Sequence, residues 1–116
     1  DGSIIYGHSN PDENGVWMFY SKEPGVSDTA GYYIGDGGVW VMNFFERDFD
    51  AGTTLIVDWW IDDELVVDTE TIDITEDGTQ EIEVFLDENP HSGQVVEMRL
   101  WDERHSHVYS YVILYF

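Results

Sequence analysis

Residues 53–61 read TTLIVDWWI, and Asp62-Asp63 follows them. Leu55, Val57, Trp59 and Ile61 occupy every second position, which in an extended chain puts them on one face. Ile56, Asp58, Trp60 and Asp62 then share the other face. β-Branched and aromatic residues dominate the stretch, the composition of a strand packed on a core. Asp62-Asp63 reads as a tight hairpin turn into residues 64–67, ELVV. The stretch therefore decides for a sheet, with Trp59 inside it.

The same alternation recurs along the chain. Ile72 and Ile74, then Ile82, Val84 and Leu86, then Val96, Met98 and Leu100 each step by two. Further strands are expected at residues 3–8, 16–21, 39–45, 69–75, 79–86, 94–101 and 107–116, with a short edge strand at 32–34. Polar segments rich in Gly, Pro, Asn and Asp separate them, at residues 10–15, 23–31, 35–38, 47–52 and 87–93. Asp77-Gly78, set between two of these strands, is the signal of a type I′ hairpin turn. No segment sustains a helical period, and Ala30 and Ala51 are the only alanines. A chain of 116 residues makes one domain. The expected fold is all-β: a single antiparallel β-sandwich, immunoglobulin-like or jelly-roll-like, over residues 1–116.

The chain carries 25 acidic residues against four basic ones, a formal charge of −21. Lys22, Arg47, Arg99 and Arg104 are the whole basic set. Such a field repels phosphate backbones and anionic membranes, so neither nucleic-acid binding nor membrane insertion is expected. It favours cations, basic partners or neutral ligands, and it suits a salt-rich setting in which self-repulsion is screened. A single lysine fits a salt-adapted surface; two alanines fit it less well. Cysteine is absent, which removes disulfides, thiolate metal sites and thiol nucleophiles. No apolar run reaches the length that spans a membrane. The chain opens at Asp1 without a signal-peptide pattern, as expected of a mature form, an excised domain or a chain that has lost its Met.

Among candidate sites, Asp73-x-Thr75-x-Asp77-Gly78 resembles the opening of a calcium loop. Val84 stands where a bidentate glutamate should close it, so a turn is the better reading. The carboxylates of Asp12-Glu13, Asp62-Asp63-Glu64 and Asp87-Glu88 leave weak calcium binding open; no other cofactor is expected. His105-x-His107 would set two imidazoles on one side of a strand, a spacing a metal can use. Its neighbours Asp102, Glu103, Arg104 and Ser106 read instead as an exposed hairpin tip. Ser106 and Ser110 lack any nucleophile motif, and no carboxylate pair is singled out by spacing. The chain is not expected to be an enzyme.

Trp60, Phe85 and Trp101 fall on outward positions among acids. They are covered by another layer, or they form a ligand-binding or subunit-binding surface. Residues 108–116, VYSYVILYF, are apolar on both faces apart from Ser110. Tyr109, Tyr111, Val112, Ile113, Leu114, Tyr115 and Phe116 thus form a central strand covered on both sides, or a strand shared with a neighbouring subunit, with residues 3–6 as its complement.

From Leu55 to Asp102 the elements run as follows: 55–61, LIVDWWI, and Asp62-Asp63; Val66-Val67, Ile72 and Ile74; Asp77-Gly78; Ile82-x-Val84-x-Leu86; Gly93; and Val96-x-Met98-x-Leu100-Trp101-Asp102. This succession resembles prokaryotic immunoglobulin-like modules, including the CARDB-type domains of surface proteins. Trp59 stands where such sandwiches place their core tryptophan. The paired cysteines of antibody domains are absent, and residues 1–50 lie outside the resemblance. It implies a non-catalytic extracellular or cell-surface module and transfers no catalytic residue. The expected function is therefore structural or adhesive, through protein contacts and self-association by the terminal strands. The alternative is a carbohydrate-binding module presenting Trp60, Phe85 and Trp101, with Tyr33 or Trp40, to a polysaccharide.

Overall fold

The Asp62-Asp63 turn forms as the sequence predicts. Both residues take left-handed backbone, φ 49° and 66°, the geometry of a two-residue turn matched to strand twist. It joins two antiparallel strands, with Ile61 opposite Glu64 and Leu55 opposite Ile72. The computed structural model describes residues 3–8, 18–21, 29–35 and 37–116; up to residue 35 it describes backbone only, except at Gly31 and Tyr32.

The described residues form nine strands: β1 (Ser3–His8), β2 (Met18–Ser21), β3 (Thr29–Gly35), β4 (Gly38–Phe49), β5 (Thr54–Ile61), β6 (Glu64–Asp73), β7 (Gly78–Leu86), β8 (Val95–Trp101) and β9 (Val108–Tyr115). One sheet has the order β1-β9-β8-β5-β6 and the other β2-β3-β4-β7. All pairs are antiparallel except β1 with β9. The protein is a β-sandwich.

The core lies between the sheets and follows the period of two. Leu55, Val57 and Trp59 from β5 meet Met98 and Leu100 from β8, all fully buried. Val39, Val41 and Phe45 from β4 face them with Ile82, Val84 and Leu86 from β7. One polar pair sits in this layer. Ser110 Oγ on β9 donates to Asn43 Oδ1 on β4 at 2.7 Å, and Asn43 Nδ2 reaches the Ile82 carbonyl at 3.4 Å. Neither side chain is exposed. The pair therefore ties one sheet to the other inside an apolar layer, where a polar group without a partner would be unfavourable.

Several sequence expectations are corrected. Asp77-Gly78 does not close a hairpin: β6 and β7 lie in different sheets, and residues 74–77 carry the chain across. Gly78 does take positive φ, 105°, but the turn is braced by other partners. Gly52 N and Ile74 N exchange hydrogen bonds with Ile74 O and Thr53 O, and Ala51 N donates to Asp77 Oδ1 at 2.8 Å. Residues 64–73 form one strand with a left-handed residue, Thr69, at φ 52°, rather than two strands. β4 runs on through Arg47 to Phe49, past an irregularity after Phe45, because Phe49 buries its ring against Phe45 and Tyr109. β3 is longer than residues 32–34 and is interior, between β2 and β4. The loop expected at residues 23–31 gives way to β3 from Thr29, and its earlier part, like residues 10–17, lies outside the described residues.

Candidate functional site

Two places on the five-stranded sheet gather the residues singled out by the sequence. The first is the β1–β9 edge. β9 buries Ser110, Val112 and Leu114 inward, while Tyr111 and Ile113 are half-buried on the outer face and Tyr115 is exposed. Tyr109 turns toward the core rim, edge-on to Phe49. Phe116 lies beyond the strand, and its carbonyl accepts from Gly93 N at 2.7 Å. The β9 main chain is paired on both sides, with β8 on one and β1 on the other. The β1 ladder is parallel and covers six residue pairs, from Ser3 opposite Ser110 to His8 opposite Tyr115.

The second place is the outer face of the same sheet. Trp60 stands opposite Glu97, Asp58 opposite Arg99, and Ile56 opposite Trp101. Four residues of strand separate Trp60 from Ile56, so the two indoles are anchored about 13 Å apart along the strands. Arg99 fills the space between. Its guanidinium carbon lies 4.9 Å from the ring centres of both Trp60 and Tyr111. Arg99 Nη2 donates to Glu97 Oε2 at 3.1 Å, and Tyr111 Oη donates to the same oxygen at 2.7 Å. Burial pulls the Arg99 pKa down, but the contacts with Tyr111 and Glu97 outweigh it and hold the pKa above its ordinary value. Burial, reinforced by the Glu97 carboxylate, pushes the Tyr111 phenol up, with Arg99 opposing.

Nearer Trp101, the Asp58 carboxylate is almost fully buried. His105 Nε2 lies 2.8 Å from its Oδ2, and Thr69 N donates to its Oδ1 at 3.3 Å. His105 also stands edge-on to Trp101, 4.5 Å between ring centres. Left-handed backbone at His105 (φ 59°) and Thr69 (φ 52°) bends the 102–107 tip and the β6 edge over this carboxylate. The tip is braced by Asp102, whose oxygens accept from Ser106 N, Ser106 Oγ and His107 N at 2.7–3.0 Å. The His107 and Ser106 amides hold the Asp102 carboxyl below the usual carboxylate range. Three donors on this outer face, Trp60 Nε1, Arg99 Nε and Trp101 Nε1, are buried and meet no hydrogen-bond acceptor among the described residues.

The structure separates other candidates. Phe85 belongs to the second sheet, on the opposite side of the sandwich from Trp60 and Trp101. There its ring meets Trp40 at 4.6 Å, in a cross-strand row that also contains Tyr33. His105 and His107 diverge, the first toward Asp58 and the second toward Tyr109. Asp73 accepts from Thr54 Oγ1 and Asp77 from Ala51 N, so both carboxylates serve turns. Ser106 Oγ donates to Asp102 rather than to an imidazole. Among the described residues no three His, Asp or Glu side chains converge as a metal would require. Sequence reasoning missed Asp58, Glu97 and Arg99. Their signals were an acid inside LIVDWWI and one of only four basic residues facing it across the sheet.

Among the described residues no helix is long and apolar enough to cross a membrane. Compared with known proteins, the chain matches no family model, no curated protein and no solved structure.

Proposed function

We propose that the protein is a non-catalytic structural module of an extracellular or cell-surface assembly whose copies join by strand exchange. In that assembly, Ser3–His8 of one copy lies beside Val108–Tyr115 of the next, where β1 lies within its own chain. One observation carries the reading: β1 is an edge strand, hydrogen-bonded in the sheet to β9 alone. Among the described residues its removal breaks that one ladder. The same six pairs form whether β1 comes from the same chain or from another, the condition under which exchange has a low thermodynamic cost. An uncovered β9 edge would bare a row of main-chain donors and acceptors between Val112 and Leu114 on one face and Tyr111 and Ile113 on the other. Residues 9–17 join β1 to β2, and nine extended residues reach about 30 Å, against a longest dimension of 38 Å for the domain. Head-to-tail exchange builds a filament where the rotation between successive copies leaves it open, the form we propose here.

Because the chain has no cysteine, introduced thiols are the only ones present. Tyr6 stands opposite Ile113 in the ladder, and adjacent strands lie within disulfide range. Chains carrying only Tyr6→Cys, mixed with chains carrying only Ile113→Cys, are expected to form a disulfide-linked heterodimer. If oxidation yields the bond only within the double variant, at every concentration and salt, strand exchange is wrong.

A second reading is polysaccharide binding on the outer face near Trp60 and Trp101. The observation favouring it is the half-buried pair Trp60 and Trp101 on one face of the sheet. Against it, Arg99 already covers the ring faces of Trp60 and Tyr111 on which a sugar would stack. Retardation in glycan-containing gels, lost in Trp101→Ala, supports this reading; free migration across a broad neutral glycan panel removes it.

A further inference from the structure

We propose that Asp58 pins a bulge in β6 that keeps this edge of the sheet from pairing with β6 of a second copy. The inference concerns the edge opposite the one used in strand exchange and holds with or without that exchange.

The first observation is an edge open to pairing. β6 is the outermost strand of the five-stranded sheet on the side away from β1, and among the described residues it pairs with β5 alone. Eight of its ten residues are exposed, Leu65 and Val66 among them. An outer strand of this length offers a row of main-chain donors and acceptors to any extended segment. A second copy of the same strand is the partner always at hand, because antiparallel pairing about a twofold axis needs only one self-complementary surface.

The second observation is a strained break in that edge. The β5–β6 ladder slips twice. Trp59 stands opposite Val67 but Trp60 opposite Leu65, so Val66 is extra. Val57 stands opposite Glu70, so Asp68 and Thr69 both fall against Asp58. Thr69 is left-handed, φ 52°, a conformation its branched side chain resists. Such a conformation persists where its surroundings fix it. Here Thr69 N donates to Asp58 Oδ1 at 3.3 Å, and Asp58 Oδ2 lies 2.8 Å from His105 Nε2. The Asp58 side chain is 6% exposed. Strain at Thr69 and a carboxylate withdrawn from water are each unfavourable taken singly. Neither serves the core, whose inner face on β5 is filled by Leu55, Val57 and Trp59. What they produce together is the bulge.

The third observation is the contrast with the other edge. A bulge bends its strand and adds twist, so the main-chain groups on either side of it no longer line up for a straight partner. Glu64, Asp68, Glu70 and Asp73 add like charges that a second β6 would meet. At the opposite edge, the β1–β9 ladder runs through six consecutive pairs without a slip. One edge of the sheet is thus broken and acidic, and the other is regular. Where copies join by strand exchange, the break in β6 confines them to the β1–β9 edge.

The test uses full chains in which Tyr6→Cys and Ile113→Cys are joined within one chain, so that the β1–β9 edge is closed. They are kept in about 1 M sodium chloride, where a Debye length of about 3 Å screens the acids of β6. This locked parent should sediment as a monomer. Asp58→Val removes the acceptor of Thr69 N, and deletion of Thr69 together with Asp58→Val straightens the strand. Both are expected to associate at a concentration about tenfold or more below any at which the locked parent does, with β6 amides newly protected from hydrogen exchange. Asp58→Asn keeps an oxygen for Thr69 N and should stay monomeric. Either of the first two variants folded by circular dichroism yet monomeric overturns the proposal. So does unfolding of both, which would make the bulge a support of the fold, and so does association of Asp58→Asn equal to that of Asp58→Val. Protection of β6 amides by association of the locked parent overturns it as well. The lock separates this result from strand exchange, which is decided by the cross-link between single-cysteine chains.

Discussion

Replacing Ser110 by alanine removes one hydroxyl from the centre of the sandwich and leaves Asn43 Oδ1 without its donor at 2.7 Å. Both side chains are fully buried, so water does not replace the lost bond. Leaving a buried acceptor unsatisfied costs about 1–3 kcal/mol, and about 2 kcal/mol is the expected loss. Unfolding entropy of about 2.1 cal/mol/K per residue gives about 0.24 kcal/mol/K for a chain of 116 residues, so Tm should fall by about 8 °C. In urea, with a slope of about 1–3 kcal/mol/M, the midpoint should drop by about 1 M with the slope unchanged. The informative variant is the double one. Asn43→Val with Ser110→Ala exchanges both partners for apolar groups, and valine suits a strand whose neighbours are Val39 and Val41. It should lie within about 1 kcal/mol of the unchanged chain, giving a coupling of more than about 1 kcal/mol in the double-mutant cycle. Calorimetry and urea titration of the four proteins measure it. Additive losses, or a Ser110→Ala variant as stable as the parent, would refute the view that this pair matters as a matched polar unit.

Three other outcomes are expected. Gly38→Ala sets its new methyl group against the Leu86 carbonyl oxygen and the Phe85 ring, so the β4–β7 ladder must shift. A loss of about 1–3 kcal/mol is expected in urea unfolding, and an unchanged midpoint would show that the edge gives way freely. Because the Asp102 carboxyl titrates below its ordinary value, its contribution is present above that value and lost as pH falls through the lowered one. Amide shifts of Ser106 and His107, followed by NMR, should hold through the ordinary carboxylate range and move only below it; a step at the ordinary value contradicts the bracing of the tip. Finally, copies with a charge of −21 repel across a Debye length of about 10 Å at 0.1 M salt, so added salt should strengthen assembly. Light scattering that falls as sodium chloride rises would contradict this.

The faces of the core strands were legible because burial imposes a period of two on residues next to one another in sequence. Leu55, Val57 and Trp59, or Ile82, Val84 and Leu86, announce their side without knowledge of the partner. Which sheet a strand joins was not legible. Asp77-Gly78 carries the same positive-φ glycine whether it closes a hairpin or crosses between layers, and only the contacts with Ala51 and Thr53 decide. Residues 47–52 read as a turn because Arg47 and Asp48 look solvated, yet Phe49 anchors them to the rim of the core. The outer face was half legible. Trp60 and Trp101 were marked as outward, but their separation from Phe85 depends on sheet assignment. Asp58 looked like one more solvated acid. Its burial comes from a tip 47 residues away, a relation no local pattern carries.

The parallel ladder between β1 and β9 joins the first strand of this chain to its last. Closing it spans nearly the whole sequence, so loop-closure entropy and contact order place it late in folding. The remaining strands can pair before it forms, which leaves the β9 edge open for an interval. In the proposed assembly, the chain's own β1 competes during that interval with the same strand on a neighbour. The intramolecular rate is fixed, whereas the intermolecular rate grows with concentration. In the proposed assembly the outcome is thus a partition set by concentration, between a strand kept within its own chain and one given to a neighbour.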